Sequence, residues 1–385
     1  MPHTNVQADD LSPLAQAPFA EIVNNFEQLI SQSDRAFLIG AGCSKCAGLP
    51  LTRELAALVR EKVSGTTKEI LEGLVEDFRG ADSATIEEFM SELVDKIAIV
   101  SRRCEQGADD VKSVIAGKQY GLDDLKISLE QIKKTIAESI EKADIQITTH
   151  WNFVKAVHRV LRTGKQGGPR PVDYLVLNYD SLVEDALALE CIPYADGFSG
   201  GPSAWWDPST LESNEISARV LKIHGSIDWS QFQEEVHPRR LRPKLVQSGG
   251  IQVERLLIWP AATKYRETER DPFAQIAETM RAAIRPSLNS YVVLTVCGYR
   301  FGDSHINAEL DRALRESDKR LTLLAFTADS TPQGILKIWH EDLVLRDQVR
   351  IHAKNGFFHS LDVPSQTDLP WWKFEVLVRL LGGER

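Results

Sequence analysis

The chain has 385 residues, of which 43% are hydrophobic and 26% charged, with a formal net charge of −10. This is the balance of an ordinary globular protein, so disorder over most of the chain is excluded, and an acidic surface that repels phosphate backbones argues against direct nucleic-acid binding. The length exceeds the ~250–300 residues at which a single core stops growing, so one large domain with an insertion, or two domains, is expected.

Residues 17–31 carry Phe19, Ile22, Val23, Phe26 and Ile30 at helical spacing. The apolar run Ala36-Phe37-Leu38-Ile39 follows and ends in Gly40-Ala41-Gly42, which reads as a buried strand entering a glycine turn. A helix with Leu55, Leu58 and Val59 on one face comes next, with Thr52 as its candidate cap. From 64 to 150 the texture changes: 84–104 reads as one helix, and Leu122, Leu125, Leu129, Ile132, Ile136 and Ile140 give another, so this block is a helical insertion. A loop is predicted at 162–171. Beyond it the strand candidates are Tyr174–Leu177, Val220–Ile223, Leu256–Trp259, Tyr291–Val296, Leu321–Phe326 and Val349–His352, separated in several places by helices at 182–190, 271–285, 304–316 and 333–343. Continuous apolar strands spaced by helices predict an α/β fold, a Rossmann-like doubly wound and mainly parallel sheet. The stretches 196–215 and 228–252 read as long loops of the kind that act as lids. The predicted division is a Rossmann-like α/β domain from 1–63 and 151–385, interrupted by a helical subdomain at 64–150 that is either a lid or an oligomerisation surface.

No run approaches the ~20 apolar residues of a membrane span, and the first twenty residues lack the basic and apolar regions of an export signal. The five cysteines, Cys43, Cys46, Cys104, Cys191 and Cys297, are an odd and scattered set. They predict a reducing cytoplasm and no disulfide framework.

Ligands of open parallel sheets sit beyond the carboxyl ends of the strands, so the strand ends are where chemistry is sought. Gly40-Ala41-Gly42-Cys43-Ser44, with Gly48-Leu49-Pro50 behind it, either lets a pyrophosphate approach the backbone or serves tight strand-to-helix packing alone. The phosphate loop of ATPases, G-x-x-x-x-G-K-[ST], is absent. Asn178 and Asp180 project past the next buried strand, as ligands for ribose hydroxyls and water or as helix caps. His224-Gly225 ends another strand, and a histidine there is a candidate general base, the alternative being a ring satisfied by a backbone carbonyl. Gly298 offers one more close approach to the backbone, and Asp303 is a candidate cap.

In this order, Gly40-Ala41-Gly42-x-Ser44 with Gly48-x-Pro50, Asn178-x-Asp180 and Lys222-x-His224-Gly225 resemble the NAD site of the sirtuins. The segment Gly298-Tyr299-x-Phe301-x-Asp303-x-x-Ile306-Asn307 is similar to the bacterial sirtuin-like branch. The resemblance covers roughly 33–60 and 172–326. It implies NAD as substrate, with Gly40, Ala41, Gly42, Ser44 and Pro50 around the pyrophosphate. Asn178 then orients water or the nicotinamide ribose, Asp180 supports that ribose, and His224, with Gly225, supplies the base. Gly298, Tyr299 and Phe301 lie on the adenosine side.

The chain also departs from that family. Sirtuin deacylases carry a zinc module built from paired cysteines after the His-Gly motif, and no cysteine stands between Cys191 and Cys297 here, so no zinc is expected. Leu51-Thr52-Arg53 replaces their Asp-Phe-Arg. His150, His158, His237, His305, His352 and His359 show no metal-ligand spacing, and Cys43-x-x-Cys46 is read as incidental. The expected reaction is therefore NAD+ hydrolysis at the nicotinamide–ribose bond, with a protein-lysine deacylase and a non-catalytic NAD or ADP-ribose binding module as alternatives. The resemblance further implies a gated effector of anti-phage defence in the cytoplasm, a homo-oligomer, and a partner such as a HerA-type hexameric ATPase. Trp205-Trp206 and Trp371-Trp372 read as residues packing a domain edge, and Arg239-Arg240 with Arg242 and Lys244 as a solvated basic run.

Overall fold

The apolar runs of the sequence pair side by side into one large sheet. The structure is a computed structural model that describes residues 9–32, 34–77, 85–161, 170–232, 235–241, 253–257, 271–287 and 290–384. The elements in chain order are α1 (Phe19–Gln32), β1 (Asp34–Ile39), α2 (Ala41–Ser44), α3 (Thr52–Lys62), α4 (Gly65–Asp77), α5 (Ile86–Glu105), β2 (Ser113–Ile115), β3 (Lys118–Tyr120), α6 (Leu122–Glu141), α7 (Thr148–Lys155), β4 (Val172–Val176), α8 (Leu182–Leu189), β5 (Tyr194–Ala195), β6 (Phe198–Gly200), β7 (Ala204–Trp206), β8 (Ala218–Lys222), β9 (Gly225–Phe232), β10 (Arg239–Arg240), β11 (Val253–Leu257), α9 (Phe273–Ala283), β12 (Val292–Cys297), α10 (Ser304–Glu316), β13 (Leu321–Thr327), α11 (Gly334–Glu341), β14 (Val349–Ala353), β15 (Gly356–Phe358), β16 (Val363–Pro364) and α12 (Phe374–Leu381).

The main sheet has nine strands in the order β16-β15-β14-β13-β12-β1-β4-β8-β5. From β5 to β14 every neighbouring pair is parallel, and β15 and β16 close that edge antiparallel. This is the mainly parallel α/β architecture expected from the strands' composition. Every residue of β4 and β12 is buried, which is why those segments read as unbroken apolar runs. Alternate side chains feed two cores. Phe37 and Ile39 pack with α1, α7 and α12 on one face, while Ala36 and Leu38 pack with α9, α10 and α11 on the other.

Residues 65–141 form α4, α5, α6 and the β2–β3 hairpin. Their apolar faces make a third cluster, which includes Leu71, Leu93, Leu125 and Ile132. That cluster also takes in Leu55 and Val59 of α3. It reaches Tyr179 and Leu182 as well.

Three local expectations are corrected. The cap of α3 is Leu51, whose N–H is bonded 2.9 Å from Glu54 Oε2, and Thr52 is already inside the helix. The segments 196–215 and 228–252 are not simply loops. They supply β6, β7, β9 and β10 to an antiparallel sheet of order β11-β9-β10-β7-β6. Three of its five strands have only two or three residues, and a buried cluster of Phe198, Trp206 and Trp229, with ring centroids 5.0–6.5 Å apart, holds it together. The strand expected at Leu256–Trp259 is β11, which joins this second sheet and not the parallel one. Ile258 and Trp259, most of the 162–171 loop, and Arg242 and Lys244 of the basic run lie outside the described residues. Of the tryptophan pairs, Trp206 and Trp371 are buried and Trp205 is exposed.

Candidate functional site

The polar residues of interest gather where β1, β4, β8 and β12 end. Backbone bonds carry the pairing past the strands: Leu177 N donates to Ile39 O at 3.0 Å and Ile223 N to Val176 O at 3.0 Å. The segment 177–180 is thus clamped between the glycine turn and the turn that carries His224. On the far side of that turn, Ile227 N donates to Tyr179 O at 3.0 Å.

The glycine turn is explained first by packing. A Cβ on Gly40 would lie 2.4 Å from Gly298 O, one on Gly42 2.7 Å from Gly298 Cα, and one on Gly298 2.4 Å from Cys43 N. Gly298 also sits at φ +66°, where side chains are strained. Gly42 N donates to Gly298 O at 2.9 Å and Gly40 N to Cys297 O at 3.0 Å. These three glycines permit backbone to lie on backbone where β1 and β12 end. The thiol beside them, Cys43, is buried and its pKa is pushed well above the ordinary thiol range, first by burial and then by Cys297. It is no thiolate nucleophile.

The side chains build a buried network across these ends. Asn178 Nδ2 donates to Gly40 O at 3.1 Å and to Ser44 Oγ at 2.7 Å, and Ser44 Oγ donates to Asp180 Oδ2 at 2.7 Å. Asp180 Oδ1 accepts from Leu182 N at 3.2 Å. With both Nδ2 hydrogens of Asn178 bonded to the chain, its carboxamide oxygen is the group left to accept a bond from water or a ribose hydroxyl. Lys222, fully buried, donates to Asp180 O and lies 3.7 Å from Glu184. Burial pushes the Glu184 carboxyl up to about 7, and Lys222 partly offsets this. His150, on α7, is driven down to about 4 by burial, against the opposing charge of Asp180.

His224 occupies the two-residue turn between β8 and β9, with Gly225 at φ +78° behind it. Its Nε2 is 3.3 Å from Asp303 Oδ2, and both side chains are buried. Asp303 Oδ1 meanwhile accepts from His305 N at 2.9 Å and Ile306 N at 3.4 Å, capping α10. One carboxylate therefore holds a helix start with one oxygen and the histidine with the other. A ring that donates through Nε2 to a carboxylate is held in one tautomer and orientation, as proton transfer requires.

The structure thus ties Gly40, Ser44, Asn178 and Asp180 into one hydrogen-bonded set, and it brackets their segment with the His224–Gly225 turn. Ala41 opens α2, and Gly298 packs on the glycine turn. Tyr299 Cα would be 2.8 Å from a Cβ on Gly40. The Tyr299 hydroxyl bonds to Asn307 Oδ1 and accepts from Asp303 N, each at 3.1 Å. Phe301 packs on Tyr299 and Trp339, with centroids 4.9 and 6.0 Å away, and so fastens this loop to α10 and α11. Pro50 lies beyond the turn 45–47, just before α3. Sequence reasoning left out the bond of Asp303 to His224 and any role for Lys222 or Glu184. Asp303 was legible only as a cap, and Lys222 only as a letter of the Lys-x-His-Gly motif.

Among the described residues no group of three or more His, Cys, Asp or Glu is placed to hold a metal ion. None of their helices is long and apolar enough to cross a membrane. A search of curated proteins finds no match to the chain. The SIR2-like domain family model matches residues 173–345, which is under half of the chain and leaves out the glycine turn, but includes Asn178, Asp180, His224 and Asp303. SIR2-like domains use NAD, and the match supports a sirtuin-like family and NAD-dependent activity for the fold built on this sheet.

Proposed function

We propose that the chain is an NAD+ hydrolase that cleaves the nicotinamide–ribose bond with water. The observation that carries this reading is the buried pairing of His224 with Asp303 beside the Asn178–Ser44–Asp180 network. These groups fit the ribose end of NAD: acceptors for its hydroxyls and for water, and an oriented imidazole to take a proton.

In the proposed reaction the C1′–N bond breaks and its electron pair goes to the nicotinamide nitrogen, which becomes neutral. Positive charge develops on the ribose ring. The oxygen of water, held by the Asn178 carboxamide oxygen, bonds to C1′, and His224 accepts the proton released. Asp303 keeps the imidazole in the tautomer that can do so and balances the charge it gains. Asp180 and Ser44 fix Asn178. The products are nicotinamide, ADP-ribose and a proton.

The absence of cysteines between Cys191 and Cys297 supports water over an acyl-lysine as acceptor, because the paired-cysteine zinc module of the deacylases has no ligands there. We assign residues 1–63 and 151–385 to the NAD-binding domain and 64–150 to a lid or self-association surface. Unchecked NAD+ cleavage is toxic, so the enzyme acts as a gated cytoplasmic effector of anti-phage defence. It works as a homo-oligomer with a HerA-type ATPase or another phage-sensing partner.

The test is product analysis of NAD+ incubated with wild type, Asn178→Ala and His224→Ala, with a parallel acyl-lysine peptide arm. Nicotinamide and ADP-ribose from wild type alone are expected. Equal turnover by all three proteins, or deacylation of the peptide, would overturn the reading.

A further inference from the structure

A cavity lies under α1, lined by none of the residues of the strand-end network. β14 stands three strands from β1 in the order β14-β13-β12-β1. Its residues alternate: Val349, Ile351 and Ala353 enter the core shared with α9 to α11, so Arg350 and His352 point to the α1 face. There they line a cavity of about 120 Å³ with Asn25, Phe26, Phe357 and His359. One water needs only about 10–15 Å³ on this measure, so the space holds several waters or one tetrahedral oxyanion.

The groups facing this space are donors of positive or neutral character. His352 is fully buried, and neither ring nitrogen makes a well-formed hydrogen bond among the described residues, although the backbone at Ala325 and Arg350 lies close to the ring. Arg350 is half-buried, its Nε is buried without a partner, and its guanidinium enters no ion pair among the described residues. His359 Nδ1 donates to Val349 O at 3.1 Å, and the backbone of Arg346 lies close to the same ring. No carboxylate lines the cavity. Asp347, the acid that acts on His359, is already bonded to Ser360 and Lys319.

Leaving the buried Nε of Arg350 without a partner is costly, and so is a buried imidazole whose ring nitrogens lack a well-formed bond. An oxyanion answers both, because an arginine fork meets two of its oxygens at once and an imidazole N–H a third. Asn25 is exposed at the α1 side and gives a route in. The core face of His352 is aromatic: Phe326 stacks on it at 4.4 Å and Trp371 meets it edge-on at 5.0 Å. This packing holds the ring fixed whatever the cavity holds.

We propose that Arg350, His352 and His359 form a binding site for a phosphate-class oxyanion, either inorganic phosphate or the terminal group of a small phosphate monoester.

The test measures thermal midpoints of the full chain against inorganic phosphate, ribose 5-phosphate and, as control, sodium chloride at matched ionic strength. Wild type is compared with Arg350→Gln and His352→Phe. The arginine has no bonded partner to lose and phenylalanine preserves the stack on Phe326, so each variant has its own route to a folded protein. Wild type is expected to show a saturable rise in midpoint with phosphate beyond that with chloride, and each variant a response at least tenfold weaker in concentration. Equal potency of ribose 5-phosphate places the monoester in the site, while a response to inorganic phosphate alone places the free ion there. No response of wild type up to about 50 mM phosphate, or the same response in wild type and both variants, would overturn the proposal.

Discussion

His224 and Asp303 hang from strands that are three places apart, β8 and β12, yet their side chains meet at 3.3 Å over the ends of β1 and β4. The pair is buried, so it is a fixed part of the fold at these strand ends. Because Asp303 also caps α10, its two duties can be separated by substitution. Asp303→Asn keeps an acceptor for the helix N–H groups but loses the charge that supports an imidazolium. It is expected to lower the rate of NAD+ cleavage at least tenfold with little change in the denaturation midpoint. Asp303→Ala should lose both activity and about 1 kcal/mol of stability through the cap. Kinetics and urea denaturation of the two variants side by side check this, and equal stability losses would contradict the assignment.

His224→Ala removes the proposed base and should cost about 10²–10⁴-fold in rate. The pH–rate profile of the residual activity is the discriminating measurement. It should lose the limb that depends on the imidazole, which a merely misfolded protein would not do selectively.

Asn178 donates to two acceptors from one carboxamide. Asn178→Ala should abolish detectable hydrolysis and cost roughly 1–3 kcal/mol, because buried Ser44 Oγ loses its donor while Gly40 O keeps only that of Cys43 N. Asn178→Asp should be worse for stability at neutral pH, since it sets a second carboxylate against the Ser44–Asp180 bond. Chemical denaturation at pH 7 ranks the two.

Gly298→Ala places a Cβ 2.4 Å from Cys43 N at a φ of +66°. A loss of about 2–4 kcal/mol is expected from clash and backbone strain together. Gly302→Ala, with nothing within 4 Å, is the control and should be near neutral. If both variants melt together, the backbone joint at Gly40, Gly42 and Gly298 is not what the glycine at 298 serves.

The Glu184 carboxyl is raised from 4.5 to about 7 in the fold. A raised carboxyl favours the protonated folded state, so its contribution is fully present below pH 4.5 and is lost as pH climbs to about 7. The difference amounts to roughly 3 kcal/mol at most. Glu184→Gln abolishes this titration. Its stability relative to wild type should therefore improve between pH 5 and pH 8, as read by denaturation at both values. An unchanged difference would mean that Lys222 keeps the carboxylate ionised throughout.

Strands buried on both faces were legible because burial on both sides forces an unbroken apolar run, as in Val292–Cys297. The antiparallel sheet escaped because three of its five strands, such as Phe198–Gly200, are too short to show alternation, and its longest, Gly225–Phe232, mixes Gly and Ser with its apolar residues. They are held by aromatic contacts between distant segments instead. Asn178, Asp180 and His224 were legible as polar residues at strand ends. The bond from His224 to Asp303 was not, since it depends on how far two loops reach across the sheet. The glycine turn admitted two readings. Geometry accounts for Gly40 and Gly42 through Gly298, while the side chains around Ser44 are what fit a ribose.

Tyr179 and Leu182, which flank Asp180, belong to the same apolar cluster as Leu125 and Ile132 of α6. The helical body therefore cannot swing aside without stripping cover from the segment that bears Asn178. The two should unfold locally as one cooperative unit, with amides of 179–183 and 125–136 exchanging with solvent at a common rate. Anything that grips the outer face of α6 thereby has a mechanical handle on the residues that hold the water.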